Sequence, residues 1–116
     1  MSALAFRYAT DSDVVAYYGE RPLQTIRAIV ITLDEQPAAL IGLARMENYN
    51  CLFSEHKPEL VPHLHRMTVL RAIKAAMRML SHSILPVAAV AENPVLLTRL
   101  GLVPSANDPE VFLWRS

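Results

Sequence analysis

Two apolar runs separated by four polar residues set the strongest limit on what this chain can become. Thr25 to Leu33 carries Thr25, Ile26, Ile29, Val30, Ile31 and Thr32, side chains branched at Cβ that suit a pleated strand better than a helix. Asp34-Glu35-Gln36-Pro37 reads as a polar turn, and Ala38 to Arg45 carries the chain back as the hairpin partner. Asn48-Tyr49-Asn50 marks a second turn, followed by a short strand from Cys51 to His56 that Lys57-Pro58 ends. A three-stranded antiparallel meander is therefore expected near the middle of the fold.

The flanks supply helices and further strands. Leu4 to Thr10 alternates Leu4, Phe6 and Tyr8 on one face, the pattern of a first strand. Thr10-Asp11-Ser12-Asp13 then has the spacing of a capping box, and Gly19 and Pro22 end the short helix that follows. From Pro62 to about Ser83 the residues Leu64, Met67, Leu70, Ile73, Met77 and Leu80 recur every three or four positions. That spacing predicts a long helix with one apolar stripe. Leu85 to Ala91 is a nearly continuous apolar run, as in a strand buried on both faces. Asn93-Pro94 caps a short helix that Gly101 closes, and Val111 to Arg115 forms a terminal strand. The expected architecture is α/β (α+β). Residues 1–116 form a single domain, with a mixed, mostly antiparallel sheet of six to seven strands and helices on both faces.

Composition narrows the function classes. Hydrophobic residues make up 53% of the 116, enough for a core without a disulfide or metal staple. Eleven basic residues balance eleven acidic ones, which argues against a globally basic nucleic-acid binder. The balance conceals an uneven distribution. Leu60 to Ala91 holds Arg66, Arg71, Lys74 and Arg78 and no acid, so the rest of the chain is net acidic. Arg71, Lys74, Arg78 and His82 share a helical face, either simply solvated or turned toward phosphate; no aromatic residue among them offers a base-stacking surface.

Metal and thiol chemistry find little support. Cys51, His56, His63 and His65 include a His-x-His pair, but their spacing is that of no known zinc finger, so no metal is expected. Cys51 shows no local partner that would make it a nucleophile. A single cysteine suits a reducing compartment, Met1 to Arg7 lacks the apolar run of a signal peptide, and no span of 18 apolar residues occurs. A cytoplasmic location is expected, with no membrane partner.

Ala91-Glu92-Asn93-Pro94 leads into Leu96-Leu97-Thr98-Arg99-Leu100-Gly101-Leu102. That stretch, with the order of the elements, resembles the GNAT family of acyl-CoA N-acyltransferases, in which an Asn after the fifth strand opens a helix ending in a Leu-Gly step. The chain is similar in particular to small GNAT-like proteins of bacteriophages. The resemblance implies a V-shaped opening between the fourth and fifth strands that receives the pantetheine arm of acetyl-CoA, the co-substrate. Phe53 and Ser54 would then meet the arm along the fourth strand, and Asn93 would lie beside it. It also implies that the following helix holds the pyrophosphate at its N-terminus, where unpaired amides favour an anion. His63, His65 and Arg66 fall there. A carboxylate, often through water, takes the proton of the amine acceptor, and a Tyr commonly protonates the departing thiolate.

Glu55, at the end of the fourth strand, and Glu92, at the end of the fifth, are the candidate bases; the bland alternative for each is a solvated surface acid. The chain departs from the family pattern in three places. No glycine lies between Lys57 and Leu70, where the pyrophosphate loop normally has them, no Tyr follows Tyr49, and the last helix is about a turn short. These departures keep open a second expectation, a catalytically silent GNAT-fold protein of phage or prophage origin acting as a binding or virion-associated component. A third is a partner-binding domain, such as a homodimer through exposed terminal strands.

Overall fold

The computed structural model describes residues 3–90, 98, 101–106 and 111–114. Among them the elements are β1 (Leu4–Tyr8), α1 (Asp11–Tyr18), β2 (Ile26–Leu33), β3 (Gln36–Arg45) and β4 (Asn50–His56). A 3-10 helix (Pro58–His63) then leads to α2 (Met67–Ser81), β5 (Val87–Val90), β6 (Leu102–Pro104) and β7 (Val111–Trp114). The strands form one sheet in the order β1-β2-β3-β4-β5-β7-β6. Every neighbouring pair is antiparallel except β4 and β5.

The meander forms because its one tight turn has the right hand. Asp34 and Glu35 both take positive φ, 50° and 71°, the conformation of a two-residue hairpin whose twist matches that of the strands. Gln36 and Pro37 belong to β3 rather than to the turn, paired with Leu33 and Thr32. Asp34 is held from outside as well: its carboxylate accepts the Ala3 amide at 2.8 Å, and its own amide donates to the Ala3 carbonyl at 2.8 Å.

Alternation along β2 assigns the two faces. Ile29 and Ile31 enter the larger core beneath α2, with Ile41, Leu43 and Leu52 from the neighbouring strands, while Ala28 and Val30 join Leu40 beneath α1. The helices therefore cover opposite faces, as the α/β reading expects. Gly42 lies between Ala28 and Phe53 in the strand register. A Cβ at Gly42 would run into the Arg27 carbonyl and Ala28.

The start of α1 follows its sequence signature. The Thr10 hydroxyl accepts the Asp13 amide at 3.2 Å, and the Asp13 Oδ2 accepts the Thr10 amide at 2.9 Å. The second oxygen of the same buried carboxylate accepts Arg7 Nη2 at 2.7 Å, so one side chain caps the helix and ties it to β1. Burial alone would raise the Asp13 pKa. Hydrogen bonds from Thr10 and Arg7, with the charge of Arg7, outweigh burial and hold it below the ordinary carboxylate value.

The long helix differs from its expected form. It begins at Met67, not Pro62; residues 58–63 are 3-10 and Arg66 is extended (φ −74°, ψ 150°). Leu60, fully buried against the core that includes β3, pins this preceding segment before the helix can start. The apolar stripe is also rotated from the expected one. Leu64, Met67 and Leu70 are exposed, and the buried residues are Val69, Ala72, Ala75, Ala76, Met79 and Leu80, with Ile73 and Met77 half-buried beside them. Three alanines let the helix lie close over the sheet, so small residues occupy the face that the larger ones were expected to fill.

Two strands also depart from expectation. β6 was not anticipated, and β7 is not an exposed terminal strand: it pairs with β5 on one side and β6 on the other, leaving β1 and β6 as the sheet edges. β5 starts at Val87, two residues after the expected Leu85.

Two outcomes follow for stability. A carboxylate with a depressed folded-state pKa stabilises above its unfolded value, near ~3.9, and loses that contribution as pH falls through the folded value. Wild-type stability measured by urea unfolding will thus fall more steeply below about pH 4 than that of Asp13→Asn, which is less stable at neutral pH. Gly42→Ala will lose about 1–3 kcal/mol in the same measurement, because the clash is with backbone that cannot swing aside.

Candidate active site

Among the described residues, β4 and β5 are joined at one end only. Their parallel register comprises Asn50 with Val87 and Cys51 with Ala88. A chain of hydrogen bonds fixes this junction. The Asn50 amide donates to the Pro86 carbonyl at 2.9 Å, Asn50 Nδ2 donates to Ser83 Oγ at 2.8 Å, and Ser83 Oγ donates to the Leu85 carbonyl at 2.7 Å. Past Cys51 the ladder with β5 stops, while β4 stays paired with β3 through His56. Among the described residues, the stretch 52–56 thus has a ladder partner on one side only, in the middle of the sheet. Its backbone groups on the β5 side can accept an extended ligand as an added strand would be accepted.

Phe53, Ser54 and Glu55 lie on this half-paired stretch. Phe53 is half-buried against the core beneath α1, and Glu55, two residues further on, belongs to the same face of the strand. Ser54 alternates to the opposite face and is exposed. Glu55 is also exposed, but it is not isolated. The last turn of α1 brings Tyr17 and Tyr18 to it, the two rings meeting edge to face with centroids 5.1 Å apart. Burial pushes the Tyr18 phenol well above its ordinary pKa, helped by its hydrogen bond to Glu55 and by the charge of that carboxylate. Tyr17 is raised by burial and then by Glu55. Both phenols stay protonated near neutral pH and can donate. Lys57 completes the group, its Nζ 5.0 Å from the centre of the Tyr17 ring.

The sequence does not point to these tyrosines, because the family resemblance implies a Tyr in the last helix, where Leu96 and Leu97 stand. The available signal was an adjacent aromatic pair in the last turn of a well-capped helix ending at Gly19, which is left-handed at φ 79°.

The candidates for meeting phosphate fall at the start of α2. His63 closes the 3-10 helix, His65 lies two residues before α2, and Arg66 is its N-cap residue with no side-chain capping bond of its own. The Val69 and Leu70 amides both turn back to the Arg66 carbonyl, at 3.0 and 3.4 Å. The first turn carries no acid, so the positive end of the helix dipole is not offset there. Glu92 and Asn93, the other two candidates, lie outside the described residues.

Cys51 is half-buried, and burial raises its thiol pKa, the opposite of an activated nucleophile. No group of three or more metal-ligating side chains occurs among the described residues. Nor does any helix among them have the length and apolarity to cross a membrane. A groove of about 460 Å³ runs between α1 and residues 21–26, lined in part by Asp11, Val14, Arg21 and Leu23; it does not include Glu55 or its tyrosines.

No protein-family model matches the chain, and no curated protein matches it in sequence. Solved structures do match. An acyl-CoA N-acyltransferase from Pseudomonas aeruginosa superposes with a TM-score of 0.56 at 14% identity, covering 97% of each chain. The ribosomal-protein-S18-alanine N-acetyltransferase from Escherichia coli superposes with a TM-score of 0.51 at 12% identity, over 96% of this chain and 90% of that one. The likeness runs along nearly the whole chain: this protein has the fold of the GNAT acyl-CoA N-acyltransferases.

Proposed function

We propose that the protein is an acyl-CoA-dependent N-acyltransferase, with acetyl-CoA as donor and a primary amine as acceptor. The observation that carries this reading is the half-paired stretch 52–56 of β4, with Glu55 and the α1 tyrosines at its end. Acetyl-CoA supplies an activated acyl group on sulfur. Backbone groups at Phe53 and Ser54 would align its pantetheine arm, and the start of α2, with His63, His65 and Arg66, would meet its phosphates.

Glu55 accepts the proton that the amine nitrogen loses as it attacks the thioester carbonyl, directly or through one water. The new N–C bond forms, the C–S bond breaks, and the thiolate leaves with a proton from solvent or from a neighbouring phenol. Tyr18 holds the carboxylate in place by its hydrogen bond, while the Tyr17 ring carries the Lys57 ammonium. A second reading is favoured by one observation, the lack of any glycine between Lys57 and Leu70. In that reading the fold binds a ligand but transfers nothing.

Two measurements separate these readings. Acetyl-CoA at 100 times its dissociation constant will stabilise the native chain by about 2.7 kcal/mol, read as a rise in Tm; no rise at millimolar acetyl-CoA removes the acyltransferase reading. Glu55→Gln will keep that rise while lowering turnover of an amine panel by about 10²–10⁴-fold, the contribution typical of a positioned base. A rise in Tm without turnover in the wild type identifies the silent form.

A further inference from the structure

The segment that leads from the open stretch of β4 into α2 exposes large aliphatic side chains where a soluble surface would ordinarily be polar. Val61 and Leu64 are 53% and 41% exposed, and Met67 and Leu70 are 61% and 48% exposed. Each pair is spaced three residues apart, which puts its members on one side of a 3-10 or α-helical turn. These four fall within ten residues and contain half of the hydrophobic stripe expected to be buried. Met67 and Leu70 are exposed because the alanine face of α2 took the core instead.

The charges around them have one sign. Arg66, Arg71 and Lys74 follow closely, and Glu59 is the single acid between Lys57 and Ala91. A phosphate gains most where glycine lets backbone amides come close, and no glycine lies here. Exposed aliphatic side chains contribute nothing to holding a nucleotide phosphate. An acidic protein surface with an apolar centre matches both the cations and the aliphatic row.

We infer that this surface docks a small acidic carrier domain, which delivers the acyl group on its own phosphopantetheine arm into the gap between β4 and β5. This rests on the acyltransferase reading and names its donor class. The carrier's thioester would reach the same stretch of β4 from the adjoining segment, with a single phosphate near the start of α2 in place of a nucleotide. The balance is that of the CoA reaction: the acceptor's N–C bond forms, the carrier's C–S bond breaks, and the carrier departs with a free thiol. The amine proton leaves through Glu55.

The test compares acetylated holo acyl carrier protein, its apo form and acetyl-CoA as ligands, by calorimetry on the full chain. The wild type will bind the acetylated carrier, and a Leu64→Ser/Leu70→Ser double variant will bind it at least tenfold more weakly. Both will respond equally to acetyl-CoA in Tm. Ile84→Ser, at an apolar residue exposed elsewhere, will match the wild type toward the carrier. Undiminished carrier binding by the double variant overturns the proposal, as does a wild type that binds acetyl-CoA but no carrier. A concentration-dependent dimer lost in the double variant also overturns it, because the surface is then an interface between copies. A chain that binds neither donor overturns the acyltransferase reading along with it.

Discussion

The one parallel pair in this sheet, β4 and β5, is laddered only at Asn50 and Cys51 among the described residues, and the rest of the site is arranged around that short junction. Two parallel strands cannot be joined by a tight turn, so the chain between β4 and β5 makes a crossover that includes the 3-10 helix and α2. The Asn50–Ser83–Leu85 hydrogen bonds clamp the two strands where the crossover returns. Among the described residues the clamp lies at one end only, and it leaves 52–56 of β4, Glu55 included, paired with β3 alone.

The second constraint is on the other face. α1 is short, and its hold on the sheet comes from both ends: a shared carboxylate at its start and a tyrosine pair at its finish. Small residues beneath it, Ala28 and Gly42, keep that part of the sheet surface low. This is why a helix of two turns can bring phenols to a strand that is not its nearest partner. The acid and the aromatic pair come from segments 37 residues apart in the chain, and only the sheet order brings them together.

What the sequence made legible follows from how local each signal is. The capping box at Thr10 and Asp13, the β-branched strand and the hairpin involve neighbours within a few residues, and all three stand in the structure. The phase of α2 was not legible, because amphipathic reasoning weighs residues by size. Ala72, Ala75 and Ala76 look neutral in the sequence, yet they form the contact. β6 was hidden for a related reason: Leu102–Pro104 is three residues long and contains a proline, and only its partner β7 makes it a strand. Of the candidate site, Glu55 could be placed from strand position alone. Its tyrosines could not, since nothing near Tyr17 and Tyr18 in the chain announces a carboxylate.

The alanine face of α2 has one more consequence. At Ala72, Ala75 and Ala76 the helix meets the core through single methyl groups, the smallest spacer a side chain can provide. With those methyl groups and the larger Val69, Met79 and Leu80 all buried on one side of α2, the rotation of the helix about its axis is fixed, and with it the turn of Leu70 and Arg71 toward solvent.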